Sequence, residues 1–401
     1  MRIVIVLLLG AMVAMEAGAS LDTIAYTDQT VMLDGSQRQV RIPQGYRLEL
    51  LTRDLKGPRL LTFADNGDLF IGSKSGRVYR LPPPYTESQV LVTLDDYPHS
   101  VAFRPGEILI ARTSGLYHAP YTPGQSSLSA GAVKLLAALP GGQGHNSRTV
   151  AVGPDGRVYA GIGISGNCSN EYLSDDYIFR NRRGGIVVLR EKDGEATWET
   201  FASGLRNPVG FAWHPVTGDL YASNNGPDHL GYEQPPEYFS RLNAGSFHGM
   251  PWFQFDGRRL FRDRCIKRKP PRPMEEVTPP VVMFPSRSAP MGVTFVPGGG
   301  LTPALEGDAV VALRGSWGTL PSGGFDGSPA TRRPPKLVIV RFDEGQAKRV
   351  DDLVTGFQLQ DGRRWARLVG VAMGPDGALY FTSDSNIQGL FRLSAARGKK
   401  D

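Results

Sequence analysis

Cysteine is scarce in this chain. Two thiols in 401 residues, Cys168 and Cys265, cannot staple a small disulfide scaffold. Long apolar runs at helical spacing are missing too, which argues against a helical bundle. Beyond the first twenty residues no segment could span a bilayer. The net charge of +6 is a modest excess without a nucleic-acid-binding motif, so nucleic acid is not expected as a partner. The basic residues cluster once, at Arg258, Arg259, Arg262, Arg264, Lys267, Arg268, Lys269 and Arg272, in a Pro-rich stretch that reads as a solvated loop rather than a docking patch. What is abundant is turn chemistry: 49 glycines and 31 prolines, about a fifth of the chain, favour an all-β architecture with many reversals.

The opening MRIVIVLLLGAMVAMEAGAS carries one basic residue, a short apolar run and small residues ending Ala17-Gly18-Ala19. That pattern reads residues 1–19 as a signal peptide and places the mature chain in the periplasm or outside the cell. In such an oxidising compartment Cys168 and Cys265 are expected to be bridged, with two separate buried thiols as the alternative. Residues 20–40 read as an N-terminal extension without a clear signal, and 395–401 as a frayed tail.

A repeat is hidden in the turns. Six copies of strand, tight turn and strand begin at Leu60, Ser100, Thr149, Val209, Met291 and Val369, as in TVAVGPDGRVYAGIG and VGVAMGPDGALYFTSD. In a Pro-Asp-Gly turn, proline presets one dihedral, aspartate bonds its own backbone, and glycine takes the positive φ. Six hairpins, each extended to three or four strands, suit radially arranged blades. Residues 41–394 are therefore expected to form a six-bladed β-propeller of four-stranded antiparallel blades, with a seven-bladed ring or an elongated sandwich as alternatives. The segment RIPQGYRLELLTRDL precedes the first copy and is expected to pair with the last blade and close the ring.

In such a ring, function gathers where the inner strands begin, because residues from different blades converge there. His145 and Arg148 stand in a Gly-rich loop before the third inner strand. A neutral imidazole there is a candidate general base, and a surface or capping histidine is the plainer reading. Arg206 and Asn207 precede the fourth inner strand; the arginine suits a carboxylate or quinone oxygen, or else a blade-to-blade salt bridge. Gly226 and Pro227 offer carbonyl oxygens to a hard cation such as Ca²⁺, with Asp228 and Glu237 nearby. Arg314 and Arg367 complete a set of arginines at blade entrances that suits a small polyanion.

Taken in order, the motifs PQGYRLELLT, HNSRTVAVGPDGRVYAGIG, GLRNPVGFAWHP, NNGPD, SAPMGVTF, GSWG and ARLVGVAMGPDG resemble the soluble glucose/sorbosone dehydrogenases that use pyrroloquinoline quinone (PQQ), from about Pro43 to Leu393. The resemblance implies an oxidoreductase that transfers hydride from an aldose or related sugar or alcohol to PQQ, with His145 taking the hydroxyl proton and Arg206 polarising the quinone. It further implies that Asn207 sits beside that carbonyl, that Arg314 and Arg367 bind the PQQ carboxylates, that Gly226 and Pro227 hold Ca²⁺, and that electrons pass to a soluble acceptor; Arg148, by its blade-entrance position, is a further cofactor-binding candidate. No stable membrane span is expected, and the state is monomer or homodimer. Departures are visible. Gly144 stands where glucose-oxidising members have an acidic residue, and Arg314 where they have lysine, which puts glucose in question. GISGNCSNEY keeps one cysteine of the Cys-x-x-Cys in sorbosone-like relatives, leaving Cys265 as its natural partner. The segment Phe247-His248-Gly249-Met250-Pro251-Trp252 replaces Tyr-Gly-Trp-Pro and is expected either to reshape the substrate mouth or to abolish activity. Two rival functions are a Ca²⁺-dependent propeller hydrolase of lactonase type and a cofactor-free propeller that binds a carbohydrate or protein.

Overall fold

The repeated turns do what their chemistry asks. In the computed structural model, which describes residues 23–396, Gly156 and Gly377 take φ of +73° and +74°. The preceding aspartates bond forward twice. Asp155 accepts from the amide of Arg157 and the hydroxyl of Tyr159, and Asp376 from the amide of Ala378 and the hydroxyl of Tyr380. One carboxylate thus fixes the turn and anchors an aromatic ring of the next strand.

These hairpins build six blades around a ring. Blade 1 runs Pro58–Phe63, Leu69–Ser73, Arg77–Leu81 and Gln89–Thr93; blade 2 runs Ser100–Arg104, Glu107–Arg112, Gly115–Pro120 and Lys134–Ala138. Blade 3 spans Arg148–Val152 to Glu195–Ser203 and gains a short parallel fifth strand, Ser246–Phe247. Blade 4 comprises Phe211–Trp213, Leu220–Asn224, Glu237–Leu242 and Val282–Phe284, and blade 5 extends from Pro290–Phe295 to Gln346–Val354. In blade 6 the inner strand Ala366–Met373 pairs with the first half of the run Leu379–Ala395, whose second half pairs with Tyr46–Thr52. That N-terminal strand closes the ring. The last blade therefore takes a strand from the start of the chain, held by pairing between residues more than 300 positions apart, and that strand leads directly into blade 1.

Inner strands approach one another closely, and the sequence allows for it. A Cβ on Gly210 would lie 2.1 Å from the carbonyl oxygen of Met291, one on Gly292 2.7 Å from that of Val369, and one on Gly370 2.5 Å from that of Arg59. Only hydrogen fits at these crossings. Hydroxyls stitch the other three steps, Thr62 donating to Val101, Ser100 to Arg148 and Thr149 to Val209, and reinforce the last, where Thr382 donates to Arg59, each at a carbonyl oxygen of the next blade. Between blades the core is aromatic and aliphatic, as where Tyr221 and Phe239 of blade 4 meet Phe295 and Phe342 of blade 5.

The segment before the ring is more ordered than its sequence suggested. Tyr26–Leu33 and Ser36–Pro43 form a hairpin, turned by Asp34-Gly35 with φ of +49° and +72°, the paired positive values of a tight hairpin turn. At the other end the last strand reaches Ala395, and the amide of Ala396 donates to the carbonyl of Gly45. The leader expected at 1–19 and most of the tail expected at 395–401 lie outside the described residues. Among the described residues no helix is long and apolar enough to cross a membrane.

Candidate active site

Where the inner strands begin, side chains from blades 1, 4, 5 and 6 and the loop before blade 3 enclose a cavity of about 240 Å³. Six basic side chains line it, Arg59, Lys74, Arg206, Arg287, Arg314 and Arg367, against the carboxyls of Asp228 and Glu237. A site so biased in charge favours an anion with several negative groups.

His145 enters from the loop before blade 3. Its Nδ1 lies 2.5 Å from the carbonyl oxygen of Ile164, which only accepts, so Nδ1 carries the proton of the neutral ring and Nε2 keeps its lone pair. Burial, with Arg206 and then Arg183 and Arg148, holds the imidazole down to about 3. The ring is thus a neutral proton acceptor across the physiological range. The glycine before it is obligatory for geometric reasons. Gly144 has φ of +83°, and a Cβ there would stand 1.9 Å from the carbonyl oxygen of Ser165, so this loop path cannot carry an acidic side chain at that position.

Arg206 is nearly buried; its guanidinium donates to Asn167 Oδ1 at 2.6 Å and meets Asp228 at 3.2 Å. Asn207 lines the cavity beside it, its amide held by Asn224 Oδ1 at 3.0 Å. Across the cavity one carboxylate, Asp384, serves three cations: Arg59 at 2.6 Å, Arg314 at 3.0 Å and Lys74 at 3.2 Å. Burial opposes its ionisation, but Arg59, Arg314 and Lys74 together hold Asp384 well below the usual carboxylate range. Among the described residues Arg367 pairs with no carboxylate. It donates to the carbonyls of Arg314 and Gly315, and burial together with the neighbouring Arg314 and Arg364 lowers it to about 9.

The fourth-blade loop offers oxygen. Gly226 lines the cavity and Pro227 is buried next to it, and among the described residues no hydrogen bond ends on either carbonyl. Glu237, buried and accepting from the amide of Ala289, is pushed up by burial to about 8. Free carbonyls beside a carboxyl that burial keeps protonated are a donor set a hard cation would complete.

Residues 125–392 match the family model described as "Glucose / Sorbosone dehydrogenase". The chain belongs to that family. It is 23% identical over 369 residues to an uncharacterized protein of Borreliella burgdorferi, covering 88% of this chain and 91% of the relative. Among solved structures it is similar to the PQQ domain of Coprinopsis cinerea pyranose dehydrogenase in its holo form, with a TM-score of 0.70, 18% identity, and 89% and 97% of the two chains covered. A calcium structure of a Trichoderma reesei carbohydrate-active enzyme of family AA12 gives 0.73, 16%, 94% and 100%. The apo form of the soluble aldose sugar dehydrogenase of Escherichia coli gives 0.63, 16%, 88% and 100%. At these identities the structures establish the shared propeller fold.

Within this family member, the cavity gathers His145, Arg206, Asn207, Gly226, Arg314 and Arg367, but not Arg148. Arg148 is fully buried and donates to the carbonyls of Pro140, His145 and Ser147, so its guanidinium ties down the histidine loop instead of facing a ligand. Cys168 and Cys265, expected to be bridged, stand here as two thiols that the fold brings within 4.8 Å of each other. The altered segment at Phe247–Trp252 does not shape the mouth. Trp252 and Phe247 are fully buried in a satellite core with Tyr172 and Ile266, away from the cavity. The basic cluster is partly occupied as well, since Arg262 donates to four backbone carbonyls and Arg268 lies over the Tyr177 ring.

Sequence reasoning overlooked Arg59, Lys74, Arg287, Asp384 and Trp317. For two of them the repeat held a signal. Lys74, Asn225 and Asp384 follow the second strands of blades 1, 4 and 6 at one register position, three residues past Ile71, Ala222 and Phe381, which pair with Leu61, Phe211 and Val371 of the inner strands; Lys74 and Asn225 line the cavity.

Proposed function

We propose that this chain is a PQQ-dependent dehydrogenase of an aldose or related sugar or alcohol, exported to the periplasm or beyond. The single observation that carries the reading is the cavity itself: a neutral, oriented histidine facing six cations gathered from four blades. The residues present fit the cofactor. Arg59, Lys74, Arg314 and Arg367 would hold its carboxylates, Arg206 and Asn207 its quinone oxygens, and the carbonyls of Gly226 and Pro227 with Glu237 a Ca²⁺ ion. When bound, PQQ supplies a two-electron acceptor for hydride.

The chain's own contribution is to position and to move a proton. His145 Nε2 accepts the proton of the substrate hydroxyl, and its Nδ1 hydrogen bond to Ile164 keeps the ring aimed while it does so. Arg206, clamped by Asn167 and Asp228, keeps a fixed positive charge where negative charge develops. Trp317, 41% exposed and packed on the 76% exposed Phe325, gives the rim an aromatic surface on which a sugar ring can stack. A hydrolase reading is disfavoured by the same cavity, because cations outnumber the carboxyls such a metal site would use.

The test is to add PQQ and Ca²⁺ to the full mature chain, follow binding by calorimetry, and assay dye reduction with a panel of sugars and sugar alcohols. One equivalent of PQQ and turnover reduced about 10²–10⁴-fold in His145→Ala, with cofactor binding retained, is the expected result. Failure to bind PQQ at any Ca²⁺ concentration would overturn the reading.

A further inference from the structure

Outside the cavity, three side chains that this reading does not use converge. The sulfurs of Cys168 and Cys265 and a ring nitrogen of His229 all lie within 4.8 Å of one another. They come from three loops far apart in sequence. The satellite core explains the meeting, because Tyr172 and Tyr177, which follow Cys168, pack on Trp252, Phe253 and Ile266 around Cys265.

The histidine is oriented for ligation. Its Nε2 lies 2.9 Å from Asp263 Oδ2. A carboxylate accepts, so the proton sits on Nε2 and the lone pair on Nδ1, which faces Cys168 Sγ at 3.8 Å. Asp263 is itself buried and fixed: Oδ1 accepts from the Cys265 amide at 3.0 Å and Oδ2 from Gln254 at 3.1 Å. A carboxylate behind an imidazole is the arrangement that sets the tautomer of metal-bound histidines. The distances agree. A tetrahedral ion with sulfur at about 2.3 Å and nitrogen at about 2.0–2.1 Å holds the two donors roughly 3.6 Å apart. A disulfide would instead need the sulfurs at about 2.05 Å and would leave the Nδ1 lone pair facing a spent sulfur.

We propose that Cys168, His229 and Cys265 form a site for a thiophilic divalent ion of the Zn²⁺ class, with water in the fourth position because Cys168 and His229 are exposed. Binding replaces the two thiol protons by the ion, and no oxidant or reductant takes part. The site also has a structural consequence. Asn167 and Asp228, the chain neighbours of Cys168 and His229, both bond Arg206, and the Asp228 amide donates to Asn167 Oδ1 at 3.1 Å. A bound ion therefore pins together the two loops that clamp Arg206. The inference does not depend on the quinone reading, since its test measures the ion alone.

The experiment titrates Co²⁺, then Zn²⁺, into the reduced full chain under anaerobic conditions. One equivalent of Co²⁺ with thiolate charge-transfer absorption and tetrahedral visible bands, displaced by Zn²⁺, is expected. Cys168→Ser and Cys265→Ser each weaken that absorption, and Asp263→Asn lowers affinity about 10–100-fold. Because Asp263 is buried, His229→Ala at the exposed ligand gives the cleaner test: affinity falls while the circular dichroism spectrum is unchanged. Wild type that binds no Co²⁺, binds it without a thiolate band, or binds it as tightly as His229→Ala overturns the proposal. Recovery of the exported chain with a Cys168–Cys265 disulfide overturns it in favour of the bridge.

Discussion

His145 and Asp384 show how single residues here depend on the charge around them. The imidazole is depressed to about 3 by burial and by cations led by Arg206, against 6.5 in an unfolded chain. The unfolded chain therefore binds the extra proton between those values, so the contribution of His145 to stability is complete above pH 6.5 and is lost as pH falls toward 3. In NMR titrations the ring should stay neutral throughout pH 5–8, and a polyanion in the cavity, by offsetting the cations, should raise its pKa. A ring that titrates near 6.5 in the free protein would contradict this placement. Asp384 is the opposite case. Its side chain is fully buried beneath Arg59, Arg314 and Lys74, so Asp384→Asn leaves the buried Arg59 and two more open cations uncompensated. Chemical denaturation should show a loss of about 3–5 kcal/mol, partly recovered when PQQ or another polyanion is added.

At the scale of strands and loops, the repeat was readable because its turn chemistry is local, whereas the orientation of side chains at blade entrances was not. Arg59 and Arg148 stand at equal spacing before their turn glycines, Gly67 and Gly156. Yet Arg59 meets Asp384 and lines the cavity, while Arg148 is captured by carbonyls of the long loop before blade 3. Periodicity gives the position of an arginine and says nothing about which acceptors a neighbouring loop will bring. The hairpin at Tyr26–Pro43 was missed although Asp34-Gly35 is a strong turn signal, because its strands alternate polar and apolar residues only weakly. The different placements of the arginines separate two kinds of loss. Arg148→Ala should lower kcat by loosening the His145 loop while PQQ affinity by calorimetry stays near wild type. Arg367→Ala, which removes a charge from the cavity wall, should weaken PQQ binding about 10-fold or more and change kcat less.

For the molecule as a whole, the site exists only because the ring closes. Residues facing the cavity come from the first blade and the last, and these are held in register by one N-terminal strand, Tyr46–Thr52, paired to Leu390–Ala395. Leu48 of that strand is 2% exposed and belongs to the large core that also includes Phe381, Phe391 and Trp365 of blade 6. Leu48→Ala removes packing at the closure and none at the site. It should cost about 2–5 kcal/mol in denaturant unfolding, with the transition remaining single because blades that share inner-strand contacts all the way round cannot separate one at a time. Below that transition, PQQ affinity should match wild type, the reverse of what Arg367→Ala should show. If the closure variant lost affinity while still folded, closure would be tuning the cavity rather than holding it. Blades 1 and 6 would then move against each other, and Asp384, which bonds Arg59 across that seam at 2.6 Å, would be the first contact to report the motion.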